Sequence, residues 1–238
     1  MRADGRKAND LRPIKMIRHY TDNAPGSVLI EAGKTRLFVT ATVEERVPPH
    51  LMNTGLGWVT GEYSMLPGST PERKVREASR GKLEGRTQEI SRLIGRALRM
   101  AVDTRAIGPR TIWIDADVLQ ADGGTRTMAI TGGYVALADA IRWLADQGKI
   151  GRLPKLLPIA AVSVGVVEGK TLLDLTYAED STAEVDMNVV MARGGKLIEV
   201  QGTAEHKPFS ETTLLDMLRL AKSGIRSLLE AQARALAQ

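Results

Sequence analysis

The sequence contains no cysteine, and its three histidines lie far apart. The missing cysteines exclude disulfides, thiolate zinc sites and a cysteine nucleophile, and the histidines show no metal-ligand spacing. No apolar run approaches the roughly 20 residues that a membrane-spanning helix needs, and the N-terminus lacks the apolar core of a signal peptide. With 238 residues, the chain is long enough to bury a core. We therefore expect a cytoplasmic protein with no membrane segment.

Aromatic residues are also scarce, at two Phe, four Tyr and three Trp. A base-stacking surface of the kind that many single-strand binders use is therefore not evident. Positive charge is present instead, and it is concentrated. Residues 71–105 carry ten Lys and Arg against five Asp and Glu, and the rest of the chain is neutral. This distribution favours a polyanionic partner, although an ordinary solvated basic face would give the same count.

Hydrophobic periodicity predicts a mixed α+β chain. Alternating apolar and polar residues predict eight strands, over 27–32, 35–43, 57–65, 111–119, 159–167, 171–177, 184–192 and 196–202. A period of about 3.6 predicts three helices, over 87–102, 128–146 and 210–237. Residues 66–85 are rich in Gly, Pro, Ser and basic residues, which indicates an exposed, mobile loop.

A short internal repeat suggests how these elements are arranged. Gly-Lys-Thr occurs at 33–35 and again at 169–171, each time in a predicted hairpin turn that a long helix later follows. Neither copy is a phosphate-binding P-loop, because the required earlier glycine is replaced by valine and no helix follows directly. We expect one domain, residues 1–238, built from two pseudo-repeated β-α-β-α-type halves at about 1–150 and 151–238.

The segment most informative about chemistry is Gln120–Thr127, which joins a predicted buried strand to a predicted long helix. Two glycines allow a tight bend that turns N–H groups outward. Thr125 and Arg126 follow where the unpaired N–H groups of the helix begin. The arrangement suits a phosphate, although glycine pairs before helices also serve as plain turns.

A second set of cations precedes and forms the first helix. Arg86 lies at the start of that helix, where a guanidinium can grip a phosphate with two hydrogen bonds. Further arginines have the spacing of a track along a nucleic-acid backbone, with the disordered basic loop as the alternative explanation. The predicted RNA contacts are Arg73, Arg76 and Arg80 in the loop and Arg92, Arg96 and Arg99 on the helix.

Four carboxylates fall within eight residues, at Glu179, Asp180, Glu184 and Asp186. So many negative charges repel one another unless a cation lies between them, and magnesium held by one or two carboxylates is a common solution. We predict that Asp180 and Asp186 hold the metal and that Glu179 and Glu184 face solvent. An acidic turn with solvated side chains is the alternative.

Several of these strings resemble the bacterial RNase PH family of phosphate-dependent 3′→5′ exoribonucleases. The resemblance covers essentially the whole chain in the same order. The strings are RADGRKANDLRPI at 2–14, GRTQEISRLIGRALR at 85–99, ADGGTRTMAITGG at 121–133, YAEDSTAEVDMNVV at 177–190 and EVQGTAE at 199–205. The resemblance implies a ring-shaped homohexamer, a trimer of dimers, that trims the 3′ ends of tRNA precursors. Ribosomal RNA precursors are a second potential substrate.

The resemblance also implies the chemistry and its residues. Inorganic phosphate attacks the last phosphodiester and releases a nucleoside diphosphate with the help of Mg²⁺, and the reverse reaction adds nucleotides. The catalytic residues would be Asp180, Asp186, Arg86 and Arg126. The phosphate would be bound by Arg86, Gly124, Thr125 and Arg126.

Two other functions fit parts of the pattern. A non-catalytic RNA-binding ring subunit would keep the fold and lose the pocket, but all the residues of the proposed pocket are present. A hydrolytic ribonuclease would use the carboxylates alone, but attack by water needs no arginine clamp.

Overall fold

The computed structural model describes residues 2–238, which form nine strands and four α-helices. The first half contains β1 (Ile14–Arg18), β2 (Gly26–Ala32), β3 (Thr35–Glu44), β4 (Trp58–Met65), α1 (Gly85–Arg99), β5 (Thr111–Gln120) and α2 (Thr125–Asp146). The second half contains β6 (Ile159–Val167), β7 (Lys170–Leu173), α3 (Tyr177–Asp180), β8 (Val185–Ala192), β9 (Lys196–Ala204) and α4 (Glu211–Leu236).

The strands form two sheets, one in each half. The first has the order β1-β2-β3-β5-β4, and all its pairs are antiparallel except β4 with β5. Those two strands run parallel because α1 lies between them in the chain and carries it back across the sheet. The second sheet, β7-β6-β8-β9, is wholly antiparallel.

The two sheets share one core, and α2 is its centre. This helix packs against β2 and β3 of the first sheet and against β6 of the second. It is buried on nearly every side, which explains its glycines and alanines: a Cβ at Gly132 would lie 2.9 Å from the Ile30 side chain. One large apolar cluster runs through both halves, and a small second cluster is formed by Leu172, Leu175 and Ala183. No helix within residues 2–238 is long and apolar enough to cross a membrane.

All eight predicted strands and all three predicted helices are present, one predicted strand needs correction, and the short elements β1 and α3 were not predicted. The strand predicted over 171–177 ends at Leu173, because Asp174 has a left-handed backbone (φ 55°) and the short helix α3 follows. Strand β1 was not predicted. It is a five-residue edge strand whose pattern is too short to read.

The halves are alike in having hairpins before a long helix, but they are not copies. The first has a parallel strand pair around α1, whereas α3 in the second is a single turn. The extent of the repeat therefore stays a prediction.

Candidate phosphate and RNA site

The glycine turn has the conformation that its sequence predicts. Gly123 and Gly124 have φ of 76° and 67°, and α2 begins at Thr125, three residues earlier than periodicity indicates. A Cβ at Gly123 would lie 2.4 Å from the Leu175 carbonyl oxygen, so the turn packs directly against the segment before α3. No side chain in the described part of the protein caps the first turn of α2. Its N–H groups are therefore available to an anion.

Thr125 has a partner that the sequence did not indicate. Its Oγ1 lies 2.8 Å from the hydroxyl of Tyr63 on β4. Burial raises the pKa of Tyr63, so the hydroxyl stays neutral and fixes the orientation of the threonine. Tyr63 was missed because an aromatic residue in a half-buried strand normally indicates core packing.

The two predicted phosphate-binding arginines come from different elements. Arg86 is exposed in the first turn of α1 and makes no ion pair with any residue in 2–238. Arg126 is held more firmly, because its Nη1 lies 3.3 Å from Oε1 of Gln201 and 3.5 Å from Oε2 of Glu89. Gln201 also donates to Glu89 (3.0 Å), which joins β9 to α1 beneath the arginine.

Asp180 and Asp186 are brought together by the short helix and the following strand. Asp180 ends α3, and Asp186 lies on β8. Burial and the negative charge of Asp180 raise the pKa of Asp186 to about 6, and burial also raises the pKa of Asp180. The positive charges of Arg126 and Arg86 act in the opposite direction and limit both increases.

This carboxylate pair fits a divalent cation. Oδ1 of Asp186 is buried and has no hydrogen-bond partner among the described residues, while Oδ2 has only Asn188 at 3.4 Å. A buried, unpaired carboxylate oxygen beside a second carboxylate favours a cation. No group of three or more metal-ligating side chains occurs in residues 2–238, so phosphate oxygens or water would have to complete the coordination.

The prediction for the other two acidic residues was wrong for Glu179. Its side chain is only 14% exposed and accepts two hydrogen bonds of 2.7 Å from Arg2. Glu179 faces inward because it closes a capping box with Thr176 at the start of α3. Glu184 is partly exposed and pairs with Lys207 at 3.3 Å.

The predicted basic loop lies over the outer face of the first sheet and encloses a groove of about 1280 Å³. Four of the six predicted RNA contacts line it, namely Arg73, Arg76, Arg80 and Arg92. The loop is anchored because Glu77 accepts hydrogen bonds from the Thr87 hydroxyl and the Glu84 N–H. Tyr63 also lines the groove, so the groove reaches the glycine turn.

The remaining two arginines are engaged elsewhere. Arg96 forms an ion pair of 2.6 Å with Glu199 of β9. Arg99 lies 4.0 Å from the ring centre of Trp58 and donates to the Val59 carbonyl oxygen at 2.7 Å. Both contacts join α1 to neighbouring strands, and neither residue lines the groove.

The sequence was compared with those of known proteins, and it matches one family over most of its length. The model of the 3′ exoribonuclease family matches residues 10–142 with its domain 1 and residues 158–224 with its domain 2. The chain is 53% identical to ribonuclease PH of Corynebacterium kroppenstedtii, covering 100% of this chain and 94% of that protein. It is 57% identical to ribonuclease PH of Moorella thermoacetica, covering 99% and 94%.

Solved structures of lower identity share the fold. Rice Rrp46 has a TM-score of 0.79 at 20% identity, with 99% of this chain and 100% of that chain covered. The Archaeoglobus fulgidus exosome with RNA bound to the active site has a TM-score of 0.79 at 19% identity, with 96% and 91% covered. At these identities the likeness establishes the α+β fold alone.

Proposed function

The chain belongs to the 3′ exoribonuclease family and is a phosphate-dependent 3′→5′ exoribonuclease of tRNA processing, and we propose that its phosphate binds at the glycine turn of α2. One observation carries this proposal: Arg126, at the uncapped start of α2, pairs with Glu89, which lies one turn after Arg86 on α1, so that both arginines come from elements that meet at the glycine turn. A phosphorolytic enzyme has to bring phosphate, RNA and a divalent cation to one point. The start of α2 and the neighbouring elements supply the groups this needs: the guanidiniums of Arg86 and Arg126, the uncapped N–H groups of α2, and the Asp180–Asp186 carboxylates.

Arg86 and Arg126 offset the main barrier to the reaction. A phosphate dianion that attacks an anionic diester meets repulsion of several kcal/mol at about 4 Å, if the effective dielectric constant is about 20. The two guanidiniums, the N–H groups after Gly124 and the Thr125 hydroxyl would neutralise and orient the phosphate. A phosphate oxygen then forms a bond to the terminal phosphorus while the bond to the 3′-oxygen breaks, which releases a nucleoside diphosphate.

Asp180 and Asp186 complete the site. They would hold Mg²⁺, which supplies neutralising charge to the reacting phosphates when it is bound. The unpaired oxygen of Asp186 supports this assignment. Mg²⁺ bound between the two carboxylates would also offset the mutual repulsion that contributes to the raised pKa of Asp186.

The RNA would reach this site along the groove. Arg73, Arg76, Arg80 and Arg92 line the groove and would contact the RNA backbone, so that affinity falls with salt. RNA contacts by Arg96 and Arg99 stay a prediction, because both side chains already have protein partners.

Assembly and location form the last part of the proposal. We propose a homohexamer in the cytoplasm, supported by family membership. Sedimentation at several concentrations tests it, and a monomer throughout would contradict it.

The decisive experiment incubates the protein with Mg²⁺ and an RNA that has a single-stranded 3′ tail, with and without inorganic phosphate. We expect nucleoside diphosphates only when phosphate is present. Monophosphates released without phosphate would mean hydrolysis and would overturn the phosphate site. RNA binding with no release under either condition would favour a non-catalytic ring subunit.

A further inference from the structure

We propose that the buried ion pair between Arg12 and Asp174 is a positioning unit that sets the glycine turn against α3, and so sets the phosphate pocket against the carboxylate pair. The inference rests on the proposed function of that turn. Neither residue belongs to the proposed phosphate, metal or RNA contacts. Both come from segments that the sequence left without a role.

The pair is buried and bonded at several points. Arg12 is 4% exposed and Asp174 is 0% exposed. Nη2 and Nε of Arg12 lie 2.6 and 3.0 Å from the two carboxylate oxygens, and the Arg12 backbone N–H donates to the same carboxylate at 2.8 Å. This fork-to-fork geometry fixes the guanidinium in one orientation.

The remaining donors of Arg12 point at the turn. The guanidinium donates to the carbonyl oxygens of Asp122 and Gly123. Nη1 also donates to the hydroxyl of Thr35, which in turn donates to the Gly123 carbonyl at 2.8 Å and accepts from the Asp122 N–H at 3.0 Å. Arg12 and Thr35 therefore fix the path of the chain just before the N–H groups of α2.

Asp174 extends the same unit to α3. Its backbone is left-handed although it is not glycine, a strained conformation that persists only where surrounding contacts enforce it. Arg2 and Arg6 each donate to its carbonyl oxygen at 3.0 Å. Arg2 also donates two hydrogen bonds to the carboxylate of Glu179, the residue before Asp180. A continuous series of contacts thus runs from the phosphate turn to the proposed metal ligand.

Stability alone is a poor explanation of this arrangement. Burying two charges costs desolvation, and well-packed apolar residues usually stabilise a core at least as well. Here Arg12 donates to backbone carbonyl oxygens of the glycine turn. Arg2 and Arg6 donate to the carbonyl oxygen of the strained Asp174, which lies just before α3. A small displacement of either element would misalign phosphate and metal, and misplacements of about 1 Å can reduce catalysis about a hundredfold.

The test compares Asp174→Asn with Asp139→Asn. Asparagine tolerates the left-handed backbone and keeps the side-chain size. Asp139 makes a second inward two-point pair, with Arg18 at 2.6 and 2.9 Å, and it lies on α2 about 21 Å beyond Thr125. Asp139→Asn therefore removes an equivalent ion pair away from the site.

We expect Asp174→Asn to raise the KM for phosphate by about tenfold or more at unchanged RNA affinity, and Asp139→Asn to leave that KM unchanged. Without RNA, inorganic phosphate should raise the Tm of the wild type and of Asp139→Asn, and it should raise the Tm of Asp174→Asn less. Equal KM values and equal Tm shifts in the two variants would overturn the inference. No phosphate effect on the wild type, in Tm or in activity, would overturn the phosphate pocket itself.

A second pair of variants applies if Asp174→Asn does not fold. Thr35→Val removes the hydroxyl that holds Asp122 and Gly123, whereas Thr131→Val removes an equally buried hydroxyl that bonds to Ala161. We expect only Thr35→Val to raise the KM for phosphate. The same KM in both variants would overturn the inference.

Discussion

At the scale of single residues, the charged side chains divide by whether they have a protein partner. Arg12 is buried, the Arg18 side chain is only 11% exposed, and each forms an ion pair that joins separate parts of the fold. Arg86 is exposed and makes no ion pair in the described chain, and Asp186 keeps a buried oxygen without a partner. Arg86 and Asp186 thus keep charge that the described chain does not neutralise, whereas Arg126 of the proposed site also contacts Gln201 and Glu89.

Replacing Arg86 by alanine should affect phosphate and not RNA. We expect the KM for phosphate to rise by about tenfold or more, because one charge-assisted contact of about 2 kcal/mol is lost. RNA affinity should stay within about twofold. Arg105→Ala is the control, since Arg105 is exposed and pairs only with Asp103. An equal loss of RNA affinity in Arg86→Ala would contradict this separation of roles.

Asp115 on β5 predicts a pH dependence of stability. Burial and the nearby Glu62 and Asp117 raise the pKa of Asp115 to about 6. The folded state thus keeps a proton that the unfolded state has lost, so ionisation destabilises the fold as pH rises from about 4 through 6. We expect Asp115→Asn to match the wild type near pH 4 and to exceed it at pH 7 by about 1 kcal/mol, allowing for solvent screening.

Urea unfolding from pH 4 to pH 7 measures this difference. Glu62→Gln removes one of the neighbouring negative charges and should reduce the pH dependence without abolishing it. A wild-type stability that rises over this interval more steeply than that of Asp115→Asn would show that the sign is wrong.

At the scale of elements, short and long segments share the proposed contacts. The turn before α2, the one-turn helix α3 and the loop over the first sheet carry Gly124, Asp180 and the loop arginines, whereas α1, α2 and β8 carry Arg86, Arg92, Thr125, Arg126 and Asp186. The long helix α2 holds the turn in place because it is packed between the two sheets. A rigid helix with an uncapped start thus presents its N–H groups at a fixed point.

Gly123→Ala tests the turn. A left-handed alanine costs about 1 kcal/mol, and the clash with the Leu175 carbonyl adds to it, so we expect a loss of about 3 kcal/mol and weaker phosphate binding. Gly169→Ala is the matched control, because Gly169 has a similar φ of 72° and open space around it. It should lose only about 1 kcal/mol and keep its phosphate affinity. Similar losses in both variants would show that the clash is relieved.

At the scale of the whole molecule, the groove joins surfaces of opposite charge. Arg73, Arg76, Arg80 and Arg92 line the groove together with Glu62, Asp115 and Asp117 from the sheet. An RNA in the groove would be attracted by the loop side and repelled by the sheet side. The charge distribution therefore favours binding along the loop.

Arg76→Ala and Arg96→Ala separate the groove from the rest of the basic segment. Arg76 lines the groove, so we expect its loss to weaken RNA binding and to reduce the slope of log affinity against log salt by about 1. Arg96 already pairs with Glu199, so its loss should change the slope little. An equal change in Arg96→Ala would extend the RNA track beyond the groove.

The sequence by itself determined most of the elements and the conformation of the glycine turn, because these depend on local patterns. Paired glycines before Thr125, the periodicity of the helices and the alternation of the strands all act over a few residues. The family follows from the same strings. Strand β1 and the helix at Tyr177–Asp180 were not predicted, because each segment is too short to show a clear hydrophobic period.

Only the tertiary structure decided which charges meet. Arg92, Arg96 and Arg99 follow one helical pattern, yet Arg92 lines the groove, Arg96 meets Glu199 and Arg99 packs on Trp58. The inward turn of Glu179 and the pairing of Arg12 with Asp174 depend on residues more than 160 positions apart. Chain folding sets such long-range contacts, and the spacing of residues along one segment carries no record of them.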